Sequence, residues 1–336
     1  MSRLVPNLAI ALATVVGAVP VLGADYGDGS YEMRQSYPDD WEMTDEGNPL
    51  GFEVGLRYWY SMGGQDAGFL DGAAVFASRD TAHILEGHFR IDDHSTGTYV
   101  KAFGGHSVLT GGTYITPTNA DGTMNGTGKV FYAVGDFGWT PLNGDTFRAG
   151  FFGGYQYWND SPDMGRGDFV TAVSATTGLP TAFDSAVDNL DIHALRLGIT
   201  AHAEFNEMFD INAELAAIPY AQVSGVLGAH EFNTFDPGTD TVIMKSSETA
   251  VNGIGYGAAA EVLIGVHPTE NMTLRFGGRA WYLGGTLDAT FEAITATDHD
   301  NDPATAPIIG AQNFIATSNW ASLFRYGALF EATFSF

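Results

Sequence analysis

The chain has 336 residues, a formal charge of -26, only 16% charged residues, 43 glycines and no cysteine. So acidic a chain argues against nucleic acid as a partner, and the lack of cysteine excludes a disulfide framework or a thiolate site. Apart from the first residues, apolar side chains are spread too thinly for a spanning helix, so membrane residence would require a barrel.

Residues 1–24 read as a secretory signal: Arg3, an apolar run from Leu4 to Val16, and small residues at Val21-Leu22-Gly23-Ala24. Gly17 and Pro20 interrupt the run short of the roughly 20 residues a spanning helix needs. Residues 25–51, with Asp25, Asp28, Asp39 and Asp40, form an acidic leader expected on the periplasmic side. Residues 52–336 carry period-two alternation and predict an all-β, antiparallel up-and-down transmembrane barrel.

Ten strands are expected near 52–60, 83–92, 98–108, 129–139, 146–158, 190–204, 209–223, 251–266, 272–288 and 320–336. In the second, Leu85, Gly87, Phe89 and Ile91 oppose Glu86, His88, Arg90 and Asp92. In the last, Trp320, Ser322, Phe324, Tyr326, Ala328, Phe330, Ala332, Phe334 and Phe336 share the outward face. The terminal Phe336 resembles the signal read by the barrel-assembly machinery. Short turns at 93–97, 141–145, 205–208 and 267–271 alternate with long loops at 61–82, 109–128, 159–189, 224–250 and 289–319. Both termini should then be periplasmic and the five long loops extracellular, in a bacterial outer membrane.

Two kinds of side chain punctuate these strands. Tyr58, Trp59, Tyr60, Trp139, Tyr155, Tyr157, Trp158, Trp281 and Tyr282 suggest interfacial aromatic girdles. Inward charges of both signs, chiefly Glu86, His88, Arg90, Arg196, Glu214, Glu261, Arg275, Arg279, Arg325 and Glu331, predict an interior ion-pair network, since buried charge must be paired or hydrated. The alternative for these residues is a narrow aqueous pore. Barrels of about eight strands are filled by side chains and wide channels need about 16, which disfavours general diffusion.

The strings His83-Ile84-Leu85-Glu86-Gly87 through Asp92, Trp139 through Leu142-Asn143-Gly144-Asp145 into Phe147-Arg148-Ala149-Gly150 and Gly154-Tyr155-Gln156, Leu197-Gly198-Ile199-Thr200, and Phe334-Ser335-Phe336 resemble the omptin family of outer-membrane proteases. That resemblance implies a ten-stranded barrel with an extracellular cleft, where an Asp/His pair and two further Asp activate a water. The matching segment here, Gly228-Ala229-His230-Glu231, keeps the His but has Gly228 in place of the Asp. For the Asp pair only Asp121 is found, in Thr118-Asn119-Ala120-Asp121-Gly122. His230, Glu231 and Asp121 are therefore the catalytic candidates of a rearranged site. Asp191 and His193 share a face with Leu195, Leu197 and Ile199, which is the outward one and a poor place for catalysis.

Asp298, Asp300 and Asp302 place carboxylates at alternate positions, as a calcium-binding loop does, but without the glycine and distal Glu of an EF-hand. Nothing else in the sequence suggests a cofactor. The expected function is structural or interactive, with long loops contacting the environment, another cell, or lipopolysaccharide, to whose anionic groups divalent cations would bridge the loop acids. An omptin-like endopeptidase and a narrow selective pore are the alternatives.

Overall fold

The computed structural model describes residues 49–69, 71–144, 146–174, 180–206, 208–298 and 305–336, the side chain of Asn143 excepted. The signal and nearly all of the leader lie outside these residues. Numbered in chain order, ten long antiparallel strands form a ring: β1 (Leu50–Phe69), β2 (Ala74–Asp93), β3 (Thr98–Ile115), β5 (Lys129–Asn143), β6 (Phe147–Ser161), β9 (Asn189–Asn206), β10 (Phe209–Leu227), β13 (Thr249–Thr269), β14 (Met272–Thr297) and β15 (Ile308–Ser335). The short strands sit in the connections: β4 (Gly122–Thr123) on β3, β7 (Asp168–Val173) with β8 (Pro180–Asp184), and β11 (Asn233–Asp236) with β12 (Thr241–Lys245), which extends β14. The described residues contain no helix.

The ring closes where β1 meets β15, in register from Glu53↔Ser335 to Gly68↔Trp320. At the seam Phe52 and Phe336 exchange both backbone hydrogen bonds, at 3.1 and 3.0 Å, and stack their rings 6.0 Å apart. Closure leaves no ring edge unpaired, the condition for a sheet to sit in hydrocarbon. Four tight turns, after Asp93, Asn143, Asn206 and Thr269, define one end of the barrel, and Leu50 and Ser335 lie at that same end. It is called the turn end below, and the other the loop end.

The strands run well past their expected limits, and all five of the predicted loops are partly strand. Residues 61–82 are a β-hairpin that stays paired to Phe69↔Ala74, reversed by Asp71 and Gly72 at φ 56° and 84°. β3 stays on β2 as far as Ala77↔Ile115, and β14 and β15 pair to Thr297↔Ile308. Segments 159–189 and 224–250 hold the β7–β8 and β11–β12 hairpins. Only about 9–11 residues of a tilted strand cross the hydrocarbon. Beyond it a strand needs a hydrogen-bonding neighbour but no apolar outer face, so pairing continues where alternation stops.

The outward face is the one that lipid would cover. Leu56, Leu85, Phe137, Phe151, Leu197, Leu215, Phe276 and Phe330 are all more than half exposed. Outward aromatics flank this band. Tyr60, Tyr155, Tyr220, Tyr256, Tyr282 and Tyr326 lie on its loop side, and Trp139, Phe147, Phe209 and Phe336 near the turns. Three of the residues assigned to girdles are not there. Trp59, Trp158 and Trp281 point inward and are buried, because each lies one residue from an outward aromatic and alternation sends it into the lumen.

Candidate functional site in the barrel lumen

The inward residues of β14 read out the lumen from the turn end upward: Arg275, Arg279, Trp281, Leu283, Leu287. They mark a polar vestibule, an ion-pair layer, an aromatic layer and an apolar recess.

The vestibule holds about 980 Å³ of open space, part of it continuous with solvent, among His88, Lys101, Glu214, Arg275 and other polar side chains. Arg275 reaches Glu331 at 2.9 Å and Glu53 at 3.2 Å. Arg90 holds Asp92 through two 2.7 Å bonds and lies over the Tyr99 ring. His88 is 3.5 Å from Glu53, and neither of its ring nitrogens makes a hydrogen bond among the described residues.

Above it, Glu86 is the hub. Its carboxylate accepts from Arg57 at 3.0 Å, from Arg279 at 2.6 and 3.2 Å, and from the Tyr132 hydroxyl at 2.6 Å. Arg279 also binds Glu261 at 2.6 Å, and Arg57 binds Glu331. On the opposite wall Lys101 pairs with Glu214 and Asp136, and Arg196 with Asp136 and the Gln156 carbonyl. Cation and carboxylate thus alternate across the lumen, and the large desolvation cost of each is met by its neighbours.

The next layer is aromatic. Trp59, Tyr132, Trp158 and Trp281 meet edge to face, with centroids 4.8 to 5.9 Å apart. Gly105 makes room for Tyr132: a Cβ there would lie 2.6 Å from the phenol oxygen. Arg279 packs beneath Trp59 and Trp281, 5.2 and 5.5 Å from their ring centres. On the loop side of the rings Arg325 is fully buried, bonded to Asp80 at 2.9 and 3.1 Å and to Ser61 at 3.1 Å, with Asp160 at 3.4 Å. Asp80 and Asp160 are not among the residues expected in the lumen, because both fall in predicted loops or at their edges. The parity of Asp80 with Glu86 and of Asp160 with Gln156 was the available signal.

At the loop end no hydrogen bond or ion pair joins the catalytic candidates to one another among the described residues. Asp121 is exposed, and its amide bonds to Asn119 Oδ1 at 3.1 Å. Glu231 is exposed beside His230. His230 lies edge-on between Phe76 and Phe291, with Nδ1 2.6 Å from the Thr249 hydroxyl, and no carboxylate pairs with it among the described residues. Burial, aided by the Lys245 charge, pushes its pKa down to about 4. Lys245 donates to the His230 carbonyl at 2.6 Å, and burial lowers its pKa to about 8. Asp188, fully buried nearby, accepts from the Ala229 amide at 2.8 Å, and burial raises its pKa to about 7. A neutral imidazole bonded to a hydroxyl between two phenyl rings lacks the orienting carboxylate that a general base needs.

Asp191 and His193 face outward, where Tyr157 donates to Asp191 at 2.5 Å and Tyr155 meets His193. Of the calcium candidates, Asp300 and Asp302 lie outside the described residues, and the Asp298 amide bonds to the Asp240 carbonyl at 3.0 Å. Among the described residues no group of three or more His, Asp or Glu is placed to hold a metal ion.

No family model and no curated protein matches the chain. Solved structures do. The outer membrane protease OmpT from Escherichia coli superposes with a TM-score of 0.54 at 13% identity, over 86% of this chain and 98% of that one. The fold is that of an outer-membrane β-barrel. It resembles the omptins in architecture. The translocator domain of the autotransporter NalP from Neisseria meningitidis (9% identity, 87% and 90% covered, TM-score 0.35) and the transport unit of the autotransporter AIDA-I from Escherichia coli (10%, 88% and 93%, 0.29) match more loosely.

Proposed function

We propose that this chain is an integral protein of the bacterial outer membrane, with its loop end outward, that works at the surface as a closed barrel. The observation that carries this reading is the double seal across the lumen, in which the Glu86 ion-pair layer is capped by the rings of Trp59, Tyr132, Trp158 and Trp281. Water or ions would have to displace buried, mutually bonded side chains to pass, which disfavours both diffusion and a standing pore. Peptide hydrolysis of the omptin kind gains no support from a His230 partnered by Thr249. Function then rests on the loop end. There exposed carboxylates such as Asp121, Glu231, Asp236 and Glu248 suit divalent cations bridging to the phosphates of lipopolysaccharide. Phe336, at the seam, suits engagement by the barrel-assembly machinery.

The reading is tested on purified protein in planar bilayers and on whole cells carrying an epitope in the 236–241 turn. Expected are no single-channel steps, a surface-accessible epitope, and no cleavage of a peptide library in lipopolysaccharide-containing vesicles. Unitary conductance would overturn the seal, an epitope reached only after lysis would overturn the orientation, and cleavage lost in His230→Ala would restore the peptidase.

A further inference from the structure

On the loop side of the aromatic layer the lumen changes character. Phe76, Leu190, Ile192, Val223, Leu283 and Leu323 are all buried there, around about 580 Å³ of open space that is partly continuous with solvent. A simple water-filled mouth would not need this lining, for the vestibule at the other end of the same strands is lined with Lys, Arg, Glu and His. Apolar side chains held around a hollow forgo dispersion contacts on one side, and an apolar guest would restore them.

Polar groups are few and asymmetrically placed. Ser78 Oγ is engaged by the Gln65 amide at 3.1 Å. Gln65, only 9% exposed, carries a side-chain nitrogen with no hydrogen-bond partner; it lies near the Asp160 carboxylate without bonding it in normal geometry. The charges below are matched to one another, Arg325 with Asp80 and Asp160, so a charged guest would find no free counter-ion.

We propose that this recess binds one small, uncharged, mainly apolar molecule, a single ring or short alkyl chain bearing one oxygen that accepts from Gln65 Nε2. The site goes beyond the surface-barrel reading and does not depend on which way the barrel faces.

Met164 lines the recess and is buried, so its methyl group is a local reporter. The full chain, labelled with ¹³C-methyl Met and held in lipid nanodiscs, is titrated with acetophenone, toluene and benzoate. Met164→Leu assigns the signal. Acetophenone should shift the Met164 methyl saturably, toluene more weakly, and benzoate not at all. Val223→Phe, which fills the recess, should abolish the shift while the protein keeps the gel mobility of a folded barrel; Ile192→Phe serves if that variant does not fold. Gln65→Leu should weaken acetophenone roughly two- to tenfold, the worth of one hydrogen bond, and leave toluene unchanged. Shifts confined to the outward Met62, a non-saturable response, or binding unaffected by both filled variants would mean partition into lipid and would overturn the site. Benzoate binding as tightly as acetophenone would overturn the uncharged guest.

Discussion

Replacing Glu86 tests whether the ion-pair layer stabilises the barrel or merely fills it. The carboxylate is wholly buried and accepts from Arg57, Arg279 and Tyr132. Glu86→Ala leaves Arg57 with Glu331 and Glu261, and Arg279 with Glu261, so neither cation is stranded. Breaking a buried pair from one side costs about 3–5 kcal/mol, and a hydroxyl deprived of its acceptor about 1–3 kcal/mol. With the surviving partners offsetting part of this, Glu86→Ala should lose about 3–5 kcal/mol. Glu86→Gln, which keeps an acceptor for Tyr132 and gives up the charge, should lose about 1–3 kcal/mol. Urea titration in phospholipid vesicles, followed by tryptophan fluorescence and by the gel shift of the unheated barrel, reads both values. Trp59, Trp158 and Trp281 sit directly over the layer and supply the signal. A Glu86→Ala variant within about 1 kcal/mol of wild type would mean that desolvation cancels the pairing. A double-mutant cycle with Arg279→Ala would then still show coupling of about 0.5–3 kcal/mol, because the cycle separates the pairing from each residue's desolvation.

Other outcomes follow from the loop end and the seam. The raised pKa of Asp188, about 7, means that the folded state holds a proton the unfolded chain has lost, so its contribution falls as pH rises from about 4 to 7. His230, lowered to about 4, works oppositely, and its contribution rises from about pH 4 to 6.5. In wild type the two offset each other. Amide exchange over 228–248 should therefore show protection growing with pH in Asp188→Asn and shrinking with pH in His230→Phe, and a flat profile in both would refute the assignment. Gly105→Leu should cost about 1–3 kcal/mol by pushing on Tyr132, measured in the same urea titration. Phe336→Ala keeps the backbone bonds to Phe52 and loses only the ring stack, so it should refold in vesicles nearly as wild type yet accumulate less in the outer membrane of cells. Equal losses in both settings would reduce Phe336 to a packing residue.

The barrel class was legible because hydrocarbon imposes a rule on sequence: within it, outward positions must be apolar and inward ones need not be. Where that rule lapses the reading failed. Met62 to Phe69 and Ala74 to Ala82 pair in the same register as their membrane portions, yet Gly63, Gly64, Gln65, Ser78 and Arg79 show no clean alternation and so read as loop. The aromatic layer was misread for a different reason. Tyr58-Trp59-Tyr60 looks like a girdle when counted as a cluster, whereas parity places Trp59 with Arg57, and Trp281 with Arg279. The apolar recess was not legible at all. Phe76, Val223 and Leu323 come from strands far apart in the chain, and only the ring's curvature sets them around one hollow.

The Phe52–Phe336 seam also dictates when the protein can become whole. The first strand's partner is the last of the ten ring strands in chain order, so its near edge waits through the synthesis of everything between, while the other nine strands can pair with neighbours in sequence. Such high contact order slows folding, and an unpaired edge of this length is an aggregation template while it waits. Anything that shields that edge until β15 arrives would therefore raise the yield of closed barrels.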